Sequence, residues 1–435
     1  MAATPESLMP EAGRNTALKP LAKAEQVFGF RDHTALWLSM GVGLLVMQIG
    51  AYLVPALGAK EALAVIVLGS VLGAGLLGWT AKIACDSGLS SAGLMHATYG
   101  SKFARLPVLL NIAQLIGWAT FEIVIMRDGT VAIARQSGGF ASGLWPVLAT
   151  LLWGGVLLAL LSGSMLKLVR KIIGTFGLPL VIASLLWLTW QFLGRAQTQG
   201  WEALWNRSGS GGLSTLSALD LVIAMPVSWL PLVADFARHG QAGNSTLRGT
   251  WLGYAIANIW CYSLGVLIAI TTPSTDLVTA LLLAQGGLIA LGLILIDEVD
   301  NAYGDLYSGS VAGHSLRPGF SVRQLGLAMA VLCTALALVL PMHSLEPFLL
   351  MLSSIFVPLY GVILARLAGH SAVASLVTER NVNYSAVVIW LSGIACYHLC
   401  TQLLPFLGAA LPTLVLTFVL ARLTRPDAPL LTARA

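Results

Sequence analysis

The sequence predicts an all-α polytopic membrane protein with about twelve transmembrane helices, and three observations carry that prediction. Of 435 residues, 57% are hydrophobic and only 10% charged, against about 45–50% and about 25% in an ordinary soluble domain. Apolar stretches close to the ~20 residues that a helix needs to cross a bilayer recur along nearly the whole chain. Two of these stretches are interrupted by glycine or proline at matching places in the order of spans. With 24 Lys+Arg and 19 Asp+Glu, the chain cannot clothe a water-soluble body of this size. That excludes a cytosolic enzyme, a nucleic-acid binder and a disordered scaffold.

Residues 1–33 are polar, carry no signal-peptide core and read as a cytosolic tail. Spans are expected near 34–57, 62–81, 106–126, 144–162, 172–193, 217–237, 250–271, 282–310, 325–341, 345–365, 386–404 and 407–421, with a cytosolic tail over 422–435. The eighth is long enough to hold a cytosolic extension or a break. The basic residues test the count. Twelve spans with the amino end inside place Arg14, Lys19, Lys23, Arg31, Lys82, Lys102, Arg105, Lys167, Arg170, Lys171, Arg238, Arg248, Arg317, Arg323, Arg366, Arg380, Arg422, Arg425 and Arg434 in the cytosol. Only Lys60, Arg127, Arg135, Arg195 and Arg207 face the other side, and losing one span would scramble this split. The positive-inside rule therefore supports an even count, cytosolic termini and a cytoplasmic (inner) membrane location. Cys85, Cys261, Cys333, Cys396 and Cys400 show no metal-ligand spacing, and Cys396 and Cys400 read as small residues at a helix contact.

The interrupted spans are the first, GVGLLVMQIGAYLVPALG, with Gly43, Gly50 and Pro55 around Gln48, and the sixth, LDLVIAMPVSWLPLVADFARHG, with Pro226 and Pro231 flanking Ser228 and Trp229. Proline removes a backbone donor and clashes with the preceding turn, whereas glycine lets the chain unwind. Inside a bilayer, carbonyls freed this way survive only where they line a cavity or coordinate something. Breaks in spans one and six occupy corresponding positions of two five-span halves, the sequence pointer to an inverted-repeat secondary transporter with a midplane site.

Carboxylates within spans are costly and suggest function. Glu122 follows Trp118 by four residues, so the two share a helix face. Arg127 and Asp128 read as an exposed pair at the outer interface. The eighth span, LILIDEVDNAYGDLYSGSV, carries Asp297, Glu298, Asp300 and Asp305 beside Asn301, with no Lys or Arg from Gly249 to Leu316. Four carboxylates cannot all stay ionised in a low-dielectric cavity. Asp297 and Asp300 are expected deeper, on the Asn301 face, as a cation or proton site; for Glu298 and Asp305 a solvated vestibule is an equal alternative. Asp235 is expected to close the sixth span by pairing with Arg238 three residues on. The seven histidines, His33, His96, His239, His314, His343, His370 and His398, are scattered singly and form no ligand pair.

Four ordered motifs, VMQIGAYL in span one, QLIGW in span three, SWLPLVADFARHG in span six and DNAYGDLYSGS in span eight, resemble the nucleobase–cation symporter family. Within it the chain is most similar to the branch of hydroxymethylpyrimidine (thiamine-precursor) transporters, over roughly residues 25–380. The resemblance implies a five-plus-five inverted-repeat, leucine-transporter-like fold. Its first repeat would cover 34–193 and its second 217–367, followed by two accessory helices over 386–421. It implies symport of a flat heterocycle with a cation, without a cofactor. By position, Trp118 would stack the ring, Gln48 would hydrogen-bond it, and Met225, Pro226, Ser228 and Trp229 would line the span-six side. Glu122 falls where some members read the ring edge with an amide. The family's sodium site matches Gly43, Leu44 and Met47 on span one. On span eight the hydroxyl pair is replaced by Asp297 and Glu298 or by Asp300 and Asn301, so Gly43, Met47, Asp300 and Asn301 are candidate sodium ligands. A carboxylate there could bind sodium or replace it with proton coupling.

The chemistry fits independently: a flat polar ring calls for an aromatic face and a few directed polar groups, and Glu122 suits the exocyclic amine of an aminopyrimidine. The sequence admits two other classes. An intramembrane transferase holding magnesium-diphosphate through Asp297 and Asp300 would need a second acidic motif and basic residues, which are missing. An amino-acid or amine transporter on the same architecture stays open. The expected partners are a small heterocycle and the lipid bilayer, with no nucleic acid; oligomeric state has no sequence signature here.

Overall fold

The structure, a computed structural model, describes residues 16–138, 143–163, 177–272, 277–340, 342, 345–370, 373–377 and 380–424. Arg14, Lys167, Arg170, Lys171, Arg425, Arg434, His343 and the expected span start at 172–176 lie outside the described residues. Each expected span has a helix. Eight are by themselves long and apolar enough to cross a bilayer: Ala59–Ser87, Arg105–Gln136, Leu178–Gln199, Thr215–Ala237, Gly243–Thr271, Val322–Val339, Leu345–Leu367 and Tyr384–Leu403. The first span is a pair, Phe30–Ser39 and Leu44–Tyr52, bent by 60°. Trp145–Leu161 and Ala410–Leu423 are shorter apolar helices. Gly287–Leu316 supplies the eighth span, its hydropathy lowered by its acids. Short helices Ser91–Tyr99, Trp201–Trp205 and Leu277–Leu282 lie between spans, where apolar-run counting has no signal to find them.

The most extensive helix pairings join the second span to the seventh and the third to the eighth, corresponding members of the two five-span halves. The seventh span, Gly243–Thr271, also packs along both halves of the broken first span. It does so through glycines. A Cβ at Gly253 would meet Leu38 N at 3.0 Å, and one at Gly265 would collide with the Met47 carbonyl, so backbones touch where a side chain could not fit.

A strap from the amino-terminal segment crosses the ends of several helices. Phe28 pairs with Gly240 as an isolated parallel bridge, with Phe28 N donating to His239 O and Gln241 N to Phe28 O, each at 2.9 Å. Gln26 Nε2 donates to the carbonyls of Cys85 and Arg238, each at 3.1 Å. Nearby, the expected Asp235–Arg238 pair does not form. The ion pairs among the described residues are Lys82–Asp86 and Arg127–Asp128. Asp235 Oδ1 instead accepts from Ser91 N at 3.2 Å, so it serves the free amide end of the helix Ser91–Tyr99, an anion at the positive end of a helix dipole.

Candidate functional site

The two interrupted spans differ in how they break. In the first, the helix ends near Ser39 and restarts at Leu44, with Gly43 extended at φ 176°. The eighth span stitches both sides. Asn301 Nδ2 donates to Val42 O at 3.2 Å, and Glu298 Oε1 accepts from Leu44 N at 2.5 Å. Asn301 Nδ2 also donates to Glu298 Oε2 at 3.1 Å. A donor meets the orphan carbonyl and an acceptor meets the orphan amide, which the absence of membrane water demands. In the sixth span only Trp229 separates Thr215–Ser228 from Leu230–Ala237. The expected interruption is therefore confined to one residue, and the two pieces run on as one span, Thr215–Ala237. Pro226 cannot donate to Val222, four residues back, and Tyr262 Oη donates to that carbonyl instead, at 3.3 Å.

A cavity lies between these two places. Its walls are Gly43, Leu45 and Val46 of the first span, Trp118 and Glu122 of the third, Met225, Ser228, Trp229 and Leu232 of the sixth, and Glu298, Asn301 and Asp305 of the eighth, closed off by Met40. Its volume is ≈ 20 Å³, room for about one water molecule, so the site is shut. Trp118 packs edge-on against Phe348 of the tenth span, with ring centroids 5.1 Å apart, and its indole N–H has no partner. Glu122 is 5% exposed and lines the cavity together with Glu298, while its Oε2 has no partner.

A second group of acids sits on another flank of the eighth span. Asp297 Oδ1 accepts from Ser39 Oγ at 3.0 Å. Asp297 Oδ2 and both Asp300 oxygens lack partners. Asp297, Asp300 and Ser39 border a ≈ 340 Å³ groove whose other walls are apolar residues of the fourth, fifth and eighth spans.

The family model for permeases of cytosine/purines, uracil, thiamine and allantoin matches residues 20–420. The chain belongs to this family. Among solved structures, the permease is similar to Mhp1, a nucleobase-cation-symport-1 family transporter, in a closed conformation with bromovinylhydantoin bound. That match has 17% identity, 94% of each chain covered and a TM-score of 0.77. Inward-facing Mhp1 matches at 17% identity over 95% of this chain and 92% of that one, with a TM-score of 0.74. A substrate-bound, outward-open Na+-coupled sialic acid symporter matches at 11% identity over 95% and 90%, with a TM-score of 0.62. At these identities the likeness is one of fold, and the permease has the inverted-repeat transporter architecture. No protein of curated function matches the chain.

Of the residues singled out in the sequence, the permease brings Gly43, Trp118, Glu122, Met225, Ser228, Trp229 and Asn301 together at the cavity. Gln48 is not among them; it is exposed, one turn beyond Leu45. Pro226 turns its ring toward Gly73 of the second span. Leu44 contributes its amide to Glu298, and Met47 is buried against the seventh span. Asp297 and Asp300 do not share the cavity with Asn301. Glu298 and Asp305 do, and neither stands in a solvated vestibule: they are 1% and 2% exposed. The spacing 298, 301, 305 is a helix face of its own, one residue and so about 100° round from the 297/300/304 face.

Proposed function

We propose that this permease is a secondary active symporter. It imports a pyrimidine-like heterocycle, with hydroxymethylpyrimidine the best-fitting substrate, across the cytoplasmic membrane, driven by sodium or protons, with both termini in the cytosol. The observation that carries the reading is the pairing of Trp118 with Glu122. An aromatic face and an unpartnered buried carboxylate oxygen lie one turn apart in the wall of a closed cavity. A ring stacked on Trp118 would give its exocyclic amine to Glu122. Because the cavity is closed, binding requires an open state, and the measured affinity includes the cost of reaching it.

Ion coupling is assigned to Asp297, Asp300 and Asn301 beside the first-span break at Gly43, Leu44 and Met47. Support comes from the three unpartnered carboxylate oxygens of Asp297 and Asp300 beside Ser39, oxygen donors of the kind hard cations take, and, on the neighbouring face at the break itself, from the unpartnered Oδ1 of Asn301. The acids also keep an amine substrate in view as the second reading.

The test is ligand-induced thermal stabilisation of the purified protein, with hydroxymethylpyrimidine, cytosine, uracil, hydantoin, thiamine and aliphatic amines, each with and without sodium and at two pH values. Stabilisation by the aminopyrimidine supports the reading; stabilisation by amines alone overturns it. Trp118→Ala should weaken binding by roughly tenfold or more, about 1.4 kcal/mol, in a protein that still folds. Asp300→Asn should change the sodium or pH dependence of uptake, and an unchanged dependence removes Asp300 from coupling.

A further inference from the structure

The polar groups of the cavity are mostly of one kind. Glu122, Glu298 and Asp305 present carboxyl oxygens, and no Lys, Arg or His lines the wall. Ser228 donates its hydroxyl hydrogen to Met225 O at 2.7 Å, which leaves only lone pairs facing a ligand. The Asn301 amide hydrogens go to Val42 O and Glu298. Glu122 Oε2 has no partner in a side chain more than nine-tenths buried. Among the donors, the indole N–H of Trp118 remains free. A site so made offers acceptors on Glu122, Asp305, Ser228 and Asn301, and its three carboxyl groups can ionise together only against positive charge brought by a ligand. Its ligand must bring hydrogen-bond donors and positive charge, since buried acceptors left unpaired and buried charges left alone are both costly.

We propose that the cavity selects cationic, donor-rich heterocycles, rings with an amidine-type N–H/NH2 edge or a fixed ring charge. Glu298 and Asp305 then act as specificity-determining residues beside Glu122. Neutral imide rings such as uracil and hydantoin offer two carbonyl acceptors where the wall offers acceptors too, so they are the poor ligands. The proposal deepens the heterocycle-import reading and rests on it. It differs from that reading in what it forbids: a preference for neutral rings leaves import intact and removes this inference.

The experiment measures binding of four probes to the full-length protein by calorimetry: 1-methyl-4-aminopyrimidinium, which is charged at any pH, 4-aminopyrimidine, uracil and butylamine. The charged ring is expected to bind at least tenfold more tightly than uracil. Asp305→Asn and Glu298→Gln keep the side-chain shapes and remove one charge each, and the amide oxygen of Gln can still accept from Leu44 N. Each should weaken the charged ring by tenfold or more while leaving uracil unchanged or tighter. Where Glu298→Gln does not fold, Asp305→Asn and Glu122→Gln carry the same test. Equal losses for charged and neutral rings in the variants, or an unmodified protein that binds uracil more tightly than the charged ring, overturn the proposal alone. Binding of butylamine with no ring binding, or no binding at all, overturns both it and the import reading.

Discussion

The first and sixth spans are both interrupted beside the cavity, yet only the first is open. Its break is made by glycine: the chain runs extended, exposing a carbonyl on one side and an amide on the other, and another helix must supply a donor and an acceptor. In the sixth, Pro226 removes a donor without adding an exposed amide, and the Tyr262 hydroxyl meets the Val222 carbonyl that it frees. The glycine break creates two polar ends that point at the site. The carbonyl freed by Pro226 is met on the far side by the seventh span. The asymmetry explains why the acids of the eighth span gather at the first break, where an amide and a neighbouring carboxyl can both use them.

Substitutions at the two breaks should therefore differ in size. Glu298→Ala strips the Leu44 amide of its acceptor in a dry place and is expected to cost about 1–3 kcal/mol. Thermal unfolding in detergent would show it, and a variant as stable as the parent would mean the break is held some other way. Tyr262→Phe leaves the Val222 carbonyl without its donor, at a cost of about 1 kcal/mol. The smallest effect belongs to the pair Tyr262→Phe and Pro226→Ala. Restoring a main-chain N–H at 226 should recover part of the loss, a coupling of about 0.5 kcal/mol in a double-mutant cycle. Equal losses at both breaks would end the comparison.

Much of this was legible beforehand because membrane helices are written in composition and spacing. Each of the twelve expected spans has its helix, and the four-residue spacing of Trp118 and Glu122 put both in one wall. The eighth span was legible as acidic but not in its rotation. Spacing says that 297, 300 and 304 share a face, and equally that 298, 301 and 305 do. Which face meets the cavity is decided by packing against the first and third spans, which no local pattern records. Gln48 is read from its place in the family's motif; in the structure it is exposed and outside the cavity wall, because a place in a motif does not fix which way a side chain faces once the helix has restarted at Leu44. The Asp235–Arg238 spacing suggested an ion pair, but the Ser91 amide that displaced it belongs to a short helix with no apolar signature.

The seventh span lies along both halves of the first, its glycines at 253 and 265 pressed to the backbone on either side of the bend. It works as a splint across a fracture. The two halves of the first span are held to a common bar, so the angle between them cannot change while that contact lasts. Any opening of the cavity must then carry the first and seventh spans as one piece past the third and eighth, or peel one half away from the bar. A bulky residue at 265 would loosen the splint on one side only, turning a moving block into a hinge.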